Sequence, residues 1–413
     1  MKKIILFLLL YSLSTSPLLI PQTPPLSTIG NRIIDSENNL FIFKGVNWWG
    51  ANGSKYPFKD KHKDDINTHE MPFGLHVQTI EKIANAIKAF GFNTVRLPFS
   101  NEMLHNKGRI KKEWVVPNSQ LVGMTPLEVL DEVIRILTKN GLFVLLNNHS
   151  TTSHWCCDYD YNGLWYGNNK FYSQTSEQWM NDWVMLAKRY RTNQLVIGAD
   201  LRNEIRPQRG EYFPFPKNPN WGKNNKNDWH KYATLAGNAI HQVNPELLII
   251  VEGINAQIKL PAKLLFPHLK PVMENPIILH TQNKLVYEIH NYSFSLVEAN
   301  LLQFNNLISY ADLTTEQRTE QYENNWGFLL TDDYSSPDPV ILGEFGCSGT
   351  SKNSEEYLKD LTNYINCNNI GFFWWTLEED LNDSGSYGIM NATMDEINVQ
   401  EDWRWNYLQQ LFE

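Results

Sequence analysis

This 413-residue chain lacks any basic cluster. Its 36 Lys and Arg are outnumbered by 45 Asp and Glu, giving a formal net charge of -9, and the basic residues occur only in short runs. Phosphate backbones are bound through a basic face, so nucleic acid is excluded as the partner and a neutral substrate fits better. Cysteine is scarce too. The four present, Cys156, Cys157, Cys347 and Cys367, allow three pairings between which the sequence does not choose. A vicinal Cys156–Cys157 bridge and a bridge from one of these to Cys347 are both open, with Cys367 expected as a free buried thiol at a helix end. His149, His154, Cys156 and Cys157 supply zinc-binding atoms without the spacing of a closed site, and no metal or other cofactor is expected.

Long apolar runs are missing beyond the N-terminus. Met1-Lys2-Lys3, the apolar Ile4 to Leu10, and the small Ser12, Ser14, Thr15 and Ser16 form a secretory signal pattern too short to span a bilayer stably. Residues 1–20 are therefore expected to be a signal peptide and the protein to be secreted, an uncleaved anchor being the rival reading. The run Pro21 to Pro25 (PQTPP) makes residues 21–27 read as a short Pro-rich linker. No second linker and no composition break comes later, so residues 28–413 read as a single domain, expected to be a monomer without a stable membrane partner.

What the chain has in excess is aromatic side chains, with 14 Trp and 18 Tyr. Such residues fill a large core or form exposed platforms that stack on sugars. Short β-branched and apolar runs recur at 40–46, 93–98, 142–147, 195–201, 247–252, 285–290, 340–344 and 371–376. Helical periodicity separates them at 77–90, 126–140, 176–190, 228–243, 314–330 and 354–366, weakly at 262–269, with a last helix at 402–412. Gly91 and Gly141 stop the first two helices. Eight strand-plus-helix units predict an α/β fold, a closed (β/α)8 TIM barrel. The first βα turn also has no phosphate-cradling glycine fingerprint, which argues against an open doubly wound sheet. Residues 26–40, turning at Asn38-Asn39, read as a small N-terminal β-hairpin plugging the barrel's bottom. The long connections come after strands one, three, four and six, on the carboxyl face where such barrels place their sites.

At that face the strand tips are polar: Asn47 and Trp48 after strand one, Arg96 in two, His149 after three, Asn203 and Glu204 after four, His290 and Tyr292 at six, Glu344 at seven and Trp375 at eight. Singly, each has a structural explanation as an ion pair, a satisfied core histidine or simple packing. Their convergence on one end does not. Two carboxyls facing each other across a barrel mouth suit a double displacement at an acetal carbon, Glu204 giving its proton to the leaving oxygen and Glu344, held ionised by Arg96 and the Tyr292 hydroxyl, attacking. A separation of roughly 5 to 5.5 Å would imply retention and roughly 6.5 to 9.5 Å inversion.

Several stretches, in this order, carry a resemblance: Asn93 to Pro98 (NTVRLP), Asn147-Asn148-His149, Val196 to Glu204 (VIGADLRNE), His290-Asn291-Tyr292, Gly343 to Gly346 (GEFG) and Phe373 to Leu377 (FWWTL). With these the chain resembles glycoside hydrolase family 5, the cellulase family, and is similar to its bacterial endoglucanase branch. The resemblance implies Glu204 as acid/base and Glu344 as nucleophile, with Arg96 and Tyr292 tuning the latter. It also implies Asn203 binding a sugar 2-hydroxyl, His149 and His290 completing the polar floor, and Trp375 as a stacking platform. Trp48, Trp49, Trp155, Trp165, Trp221 and Trp326 lie near the carboxyl-face loops and could stack on pyranose rings or pack the loops; Trp48 is taken as substrate-binding. Two departures stand out: Ile205 where proline is usual after the Asn-Glu pair, and an acidic Glu378-Glu379-Asp380 in the eighth loop. The expected activity is retaining endo-β-1,4-glucanase action on a β-glucan; mannan or xyloglucan is the alternative substrate, and a non-catalytic carbohydrate-binding barrel the alternative class. Of five Asn-x-Ser/Thr sequons (Asn52, Asn148, Asn291, Asn382, Asn391), Asn148 and Asn291 adjoin the proposed site and are expected to carry no glycan.

Overall fold

The structure is a computed structural model. It describes residues 22–413 except 54–67, 155–156, 158–160, 168–171, 209–216, 256–266, 296, 298–307, 332–337, 350–352, 379–386, 392 and 397–401. The signal segment, Trp155, Cys156, Asn382 and the acidic pair Glu379-Asp380 lie outside the described residues.

The chain opens with a two-stranded antiparallel hairpin, β1 (Ser27–Ile29) and β2 (Arg32–Ile34). Its turn is at Gly30-Asn31, Gly30 taking φ +56°, and not at Asn38-Asn39. That second pair closes a later turn, in which Asp35 Oδ1 accepts from the Asn39 amide at 2.8 Å and Asn38 takes φ 65°. The segment before the hairpin is no free spacer. The Thr23 amide donates to Asp35 and its carbonyl accepts from Ser36 at 2.8 Å, while Leu26 is buried. Leu26 and Ile33 pack with Phe41 and Phe43 against Phe143, Leu145, Ile250 and Phe373, so the hairpin does stopper the barrel's bottom.

Eight parallel strands then close a ring: β3 (Lys44–Asn47), β4 (Thr94–Ser100), β5 (Phe143–Ser150), β6 (Val196–Asp200), β7 (Leu248–Glu252), β8 (Leu285–Tyr292), β9 (Val340–Gly346) and β10 (Gly371–Trp374), which returns to β3. Around them run α1 (Ile80–Ala89), α2 (Asn101–His105), α3 (Pro126–Lys139), α4 (Ser176–Arg189), α5 (Trp229–His241), α6 (Pro271–Glu274), α7 (Thr315–Asn325), α8 (Ser354–Asn368) and α9 (Trp405–Leu408). Helix starts obey local chemistry. Thr125 and Glu128 form a capping box with Pro126 in the first turn of α3, and Thr175 and Gln178 do the same for α4. In α1 the apolar stripe Ile80, Ile83, Ala84, Ile87 is buried against the barrel, as its period requires. The weak helix expected at 262–269 falls largely outside the described residues, and the single turn α6 comes next along the chain.

Side chains alternate along each strand. Asn47 therefore points into the barrel and Trp48, one residue later, points out into the helix layer. Trp48 is fully buried in the main core with its indole N–H on the Phe73 carbonyl at 2.9 Å, which corrects its assignment to substrate binding. Trp165 and Trp326 are likewise core residues, and Trp221 is partly buried with its N–H on the Asn275 carbonyl at 2.8 Å. Cys157 is disulfide-bonded, whereas Cys347 is a buried and Cys367 an exposed free thiol. Neither pairing through Cys347 forms, and Cys367, beyond the apolar face of α8, is not buried. An oxidised Cys157 also cannot ligate zinc. Asn52, Asn148 and Asn291 are fully buried, so three of the sequons present no amide to a glycosylating enzyme.

Candidate active site

Arg96 organises the carboxyl end of the barrel. Its Nε donates to Asp200 Oδ2 at 2.7 Å, Nη1 to Asn47 Oδ1 and Glu344 Oε1 at 2.8 Å each, and Nη2 to Asn203 Oδ1 at 2.9 Å, with Glu288 Oε1 3.1 Å from Nη2. A guanidinium presents five donors in a rigid plane, which is why one side chain can fix five partners carried by four strands and their ends, β3, β6, β8 and β9. Asn47 is in turn held through its Nδ2 by the Gly343 and Trp374 carbonyls at 3.0 and 3.2 Å. The burial of Arg96 is complete, and its carboxylate neighbours keep it charged.

Glu344, at the middle of β9, takes Arg96 on one oxygen and the Tyr292 hydroxyl on the other at 2.7 Å. The β8–β9 register pairs His290 with Glu344, just past an irregularity at Ile289/His290. Burial pushes the Glu344 carboxyl above its ordinary value, opposed by His290, Arg96 and the Tyr292 hydroxyl, with Glu204 adding to the push. Burial, then Glu344, pushes the Tyr292 phenol well above its ordinary range, so it remains a donor.

Glu204 sits just past β6 with φ +43°, a left-handed backbone uncommon for a residue with a side chain. Its surroundings hold it there. Its N–H donates to Glu252 Oε2, its carbonyl accepts from Arg206 Nη1 at 3.1 Å, and Ile205 bridges to Ile254. Ile205, in this parallel bridge, is itself buried. Glu252 is braced by Asn255 Nδ2 at 2.7 Å.

His290 joins the two glutamates. Its Nδ1 lies 3.1 Å from Glu204 Oε1 and 3.4 Å from Glu344 Oε2, and its Nε2 lies 3.1 Å from Glu288 Oε1. Burial alone would pull its pKa down, but Glu252, Glu344, Glu204 and Glu288 together push it well above the ordinary value, making it an imidazolium. His149 is the opposite case. Burial, then Arg96 and His290, pulls it well below the ordinary value. Its Nδ1 is 2.8 Å from Asn147 Oδ1, and Asn147 Nδ2 donates to Asp200 at 2.7 Å. This orientation of Asn147 assigns the proton to Nδ1 and leaves Nε2 an acceptor.

Trp375 stacks on His149 with ring centroids 5.6 Å apart and planes at 9°. It forms an aromatic wall with Trp49, Tyr292 and Tyr387, so Trp49, not Trp48, is the first-strand tryptophan at the site. Asn203 Oδ1 is occupied by Arg96, which directs its Nδ2 outward to within 3.6 Å of Cys157 Sγ. Arg96, His149, Asn203, Glu204, His290, Tyr292, Glu344 and Trp375 are thus brought together and Trp48 is not. Asp200, Glu252 and Glu288 are members that sequence reasoning missed. Glu288 had a signal, since it precedes His290 by two residues and so shares its face of the strand.

One ligand atom each from Glu204, His290 and Glu344 lies within 4.8 Å of the other two. Both nitrogens of His290 face carboxylates, an imidazolium has no lone pair to give, and Arg96 lies against Glu344. The trio is therefore a hydrogen-bonded charge network rather than a ligand cage. Chemically it offers two carboxyls within reach of one acetal carbon, a cation between them and an aromatic floor.

Comparison with known proteins agrees with this geometry. The cellulase profile, glycosyl hydrolase family 5, matches residues 49–380. The chain is 29% identical over 364 residues to an endoglucanase of Paenibacillus polymyxa, covering 87% of this chain and 81% of that one. It is 25% identical to endoglucanase B of Acetivibrio thermocellus, covering 84% of this chain and 62% of that one. Its fold superposes on the Pyrococcus horikoshii endocellulase, solved in complex with cellotetraose, with a TM-score of 0.74 at 25% identity over 95% of this chain and all of that one (100%). A barrel with this polar rim and a profile match along most of its length belongs to the cellulase family, glycosyl hydrolase family 5.

Proposed function

We infer that the protein is a retaining endo-β-1,4-glucanase acting on β-glucan chains. The observation that carries the retaining mechanism is the approach of Glu204 and Glu344, with an oxygen of each within 4.8 Å. Retaining glycosidases hold their carboxyls roughly 5 to 5.5 Å apart, whereas inverting ones leave roughly 6.5 to 9.5 Å for a water. Glu344, with a guanidinium on one oxygen and a phenol on the other, is the group equipped to be an anion and attacks the anomeric carbon. Glu204 protonates the departing glycosidic oxygen. A water then enters, Glu204 takes its proton, and the glycosyl–Glu344 ester is hydrolysed with net retention.

The neighbours have specific work in this scheme. Asn203 Nδ2 donates to the 2-hydroxyl of the attacked sugar, His149 Nε2 accepts from a sugar hydroxyl, and Trp375 stacks under the pyranose ring. The names of the endoglucanase relatives support a β-1,4-glucan over mannan or xyloglucan. Export fits such a polymeric substrate, and the N-terminal signal pattern supports a secreted enzyme. The test is a panel of barley glucan, carboxymethylcellulose, mannan and xyloglucan, with product anomers monitored by NMR. Rapid loss of viscosity on the glucans with the β-anomer appearing first is expected; preference for mannan or xyloglucan moves the substrate, and first release of the α-anomer removes the mechanism.

A further inference from the structure

Below the reacting glutamates, Asp200 and Glu288 meet across the barrel from β6 and β8, which are separated by β7. Both are completely buried, and both grip Arg96, Asp200 through Oδ2 at 2.7 Å and Glu288 through Oε1 at 3.1 Å. Glu288 Oε1 also faces His290 Nε2 at 3.1 Å. Each carboxyl then has one oxygen left over. Among the described residues Asp200 Oδ1 and Glu288 Oε2 are buried and find no donor, and the two carboxyls, on Nε and Nη2 of one guanidinium, face each other closely enough to shift one another's titration. Two carboxylates have no hydrogen to place between them; one carboxylic acid and one carboxylate do.

Space for this pair is built into the nucleophile's own strand. A Cβ at Gly343, the residue before Glu344, would lie 1.5 Å from Glu288 Oε1. Only glycine there lets Glu288 reach Arg96 and His290.

We propose that Asp200 and Glu288 hold a single proton between them, and that this half-ionised pair is the charge anchor that fixes Arg96 on the nucleophile and keeps His290 cationic beside the acid. Glu288 is accordingly a positioning residue of the reaction, acting through Arg96 and His290 without touching substrate. Charge balance in a dry pocket favours this state. Arg96 and His290 carry two positive charges, Glu344 and the pair carry one negative charge each, and Glu204 holds the proton it must donate. Glu252, the remaining carboxyl facing His290, is pushed above its ordinary value by burial, against the pull of His290. Full ionisation of the pair would set two negative charges side by side on one guanidinium in a dry pocket, which is strongly unfavourable. The two carboxyls are also unequal in the direction a shared proton requires. Burial and then Glu288 push Asp200 up to about 8 against the pull of Arg96, whereas Glu288, despite its burial, is held below its ordinary value by Arg96 and His290.

The test uses Asp200→Asn, Glu288→Gln and the double variant of the full-length protein. Each single change removes the proton-sharing partner but leaves one negative charge, so each should lower kcat/KM by no more than about tenfold. The double variant removes the charge, and its loss should exceed the product of the two single losses by about tenfold or more. With the anchor gone His290 loses its proton at lower pH, so the alkaline limb of the double variant's pH profile should move acidward by about one unit or more. Single losses that multiply simply to the double, or an unmoved alkaline limb, would overturn the proposal. Infrared difference spectra at neutral pH give a second, substrate-free reading that also serves where the double variant does not fold. Each single variant should lose the same protonated-carboxyl band relative to wild type; retention of that band in either refutes the shared proton. Because the spectra do not depend on turnover, their failure is distinguishable from failure of the glucanase assignment.

Discussion

The Tyr292 hydroxyl donates to Glu344 Oε2 at 2.7 Å, on the oxygen opposite the one held by Arg96. That bond lowers the Glu344 pKa against the upward push of burial. Glu344 must be ionised to attack, so activity falls as pH drops through its folded value, and removing the donor raises that value. Tyr292→Phe should therefore move the acid limb of kcat/KM to higher pH by about one to two units, the equivalent of a hydrogen bond to a charged group. An acid limb that stays in place would show that the phenol does not tune the nucleophile.

The two glutamates separate by leaving group. Glu204→Gln should lower kcat/KM on β-glucan by about 10²- to 10⁴-fold, the usual contribution of a general acid. It should lose much less on an aryl β-cellobioside whose phenolate departs without a proton. Glu344→Gln should be inactive on both. Equal losses for Glu204→Gln on the two substrates would remove its acid role.

Trp48 and Trp375 make a matched pair for stability against binding. Trp48→Ala empties a fully buried core site and should cost about 3 to 5 kcal/mol of stability. Trp375→Ala should act mainly on KM for cello-oligosaccharides, with a smaller loss of Tm. Thermal melts beside kinetics check both, and a Trp48 variant that melts normally but binds poorly would restore it to the cleft.

The two site histidines set opposite arms of the stability profile. His149 is held well below its ordinary 6.5 by burial, so the unfolded chain binds more protons and stability falls as pH drops below about 6.5. For His290 the carboxylates outweigh burial and raise the folded value well above 6.5. Its contribution is fully present below 6.5 and is lost as pH rises through that folded value. His149→Gln should flatten the acid arm of Tm against pH and His290→Gln the alkaline arm. Unchanged arms in both would disprove the linkage.

The barrel was legible because each buried strand is a short apolar run between periodic helices, and only a ring of eight buries all of them. Glu204 and Glu344 were legible because each ends or interrupts such a run. Trp48 was misread for a reason of phase: Asn47 takes the inward position, and one residue further along a strand the side chain faces the helices. Asp200 and Glu252 end β6 and β7 and Glu288 lies inside β8; a buried carboxyl at such a place is tolerated only through partners from other strands, and those partners become visible only when the ring closes. The Gly30-Asn31 turn lost to Asn38-Asn39 in the sequence because both pairs carry turn chemistry; pairing of Ser27 with Ile34 decides between them.

The central claim is that Glu344 forms a covalent bond to the sugar while Glu204 supplies and retrieves the proton. Incubation with a 2-deoxy-2-fluoro-β-cellobioside carrying a good leaving group, and then peptide mass mapping, tests it most directly. A single fluoro-cellobiosyl adduct on Glu344, absent from the Glu344→Gln variant, is the expected result. An adduct on Glu204 or on any other residue, or turnover of glucan by a protein that never becomes labelled, would contradict it.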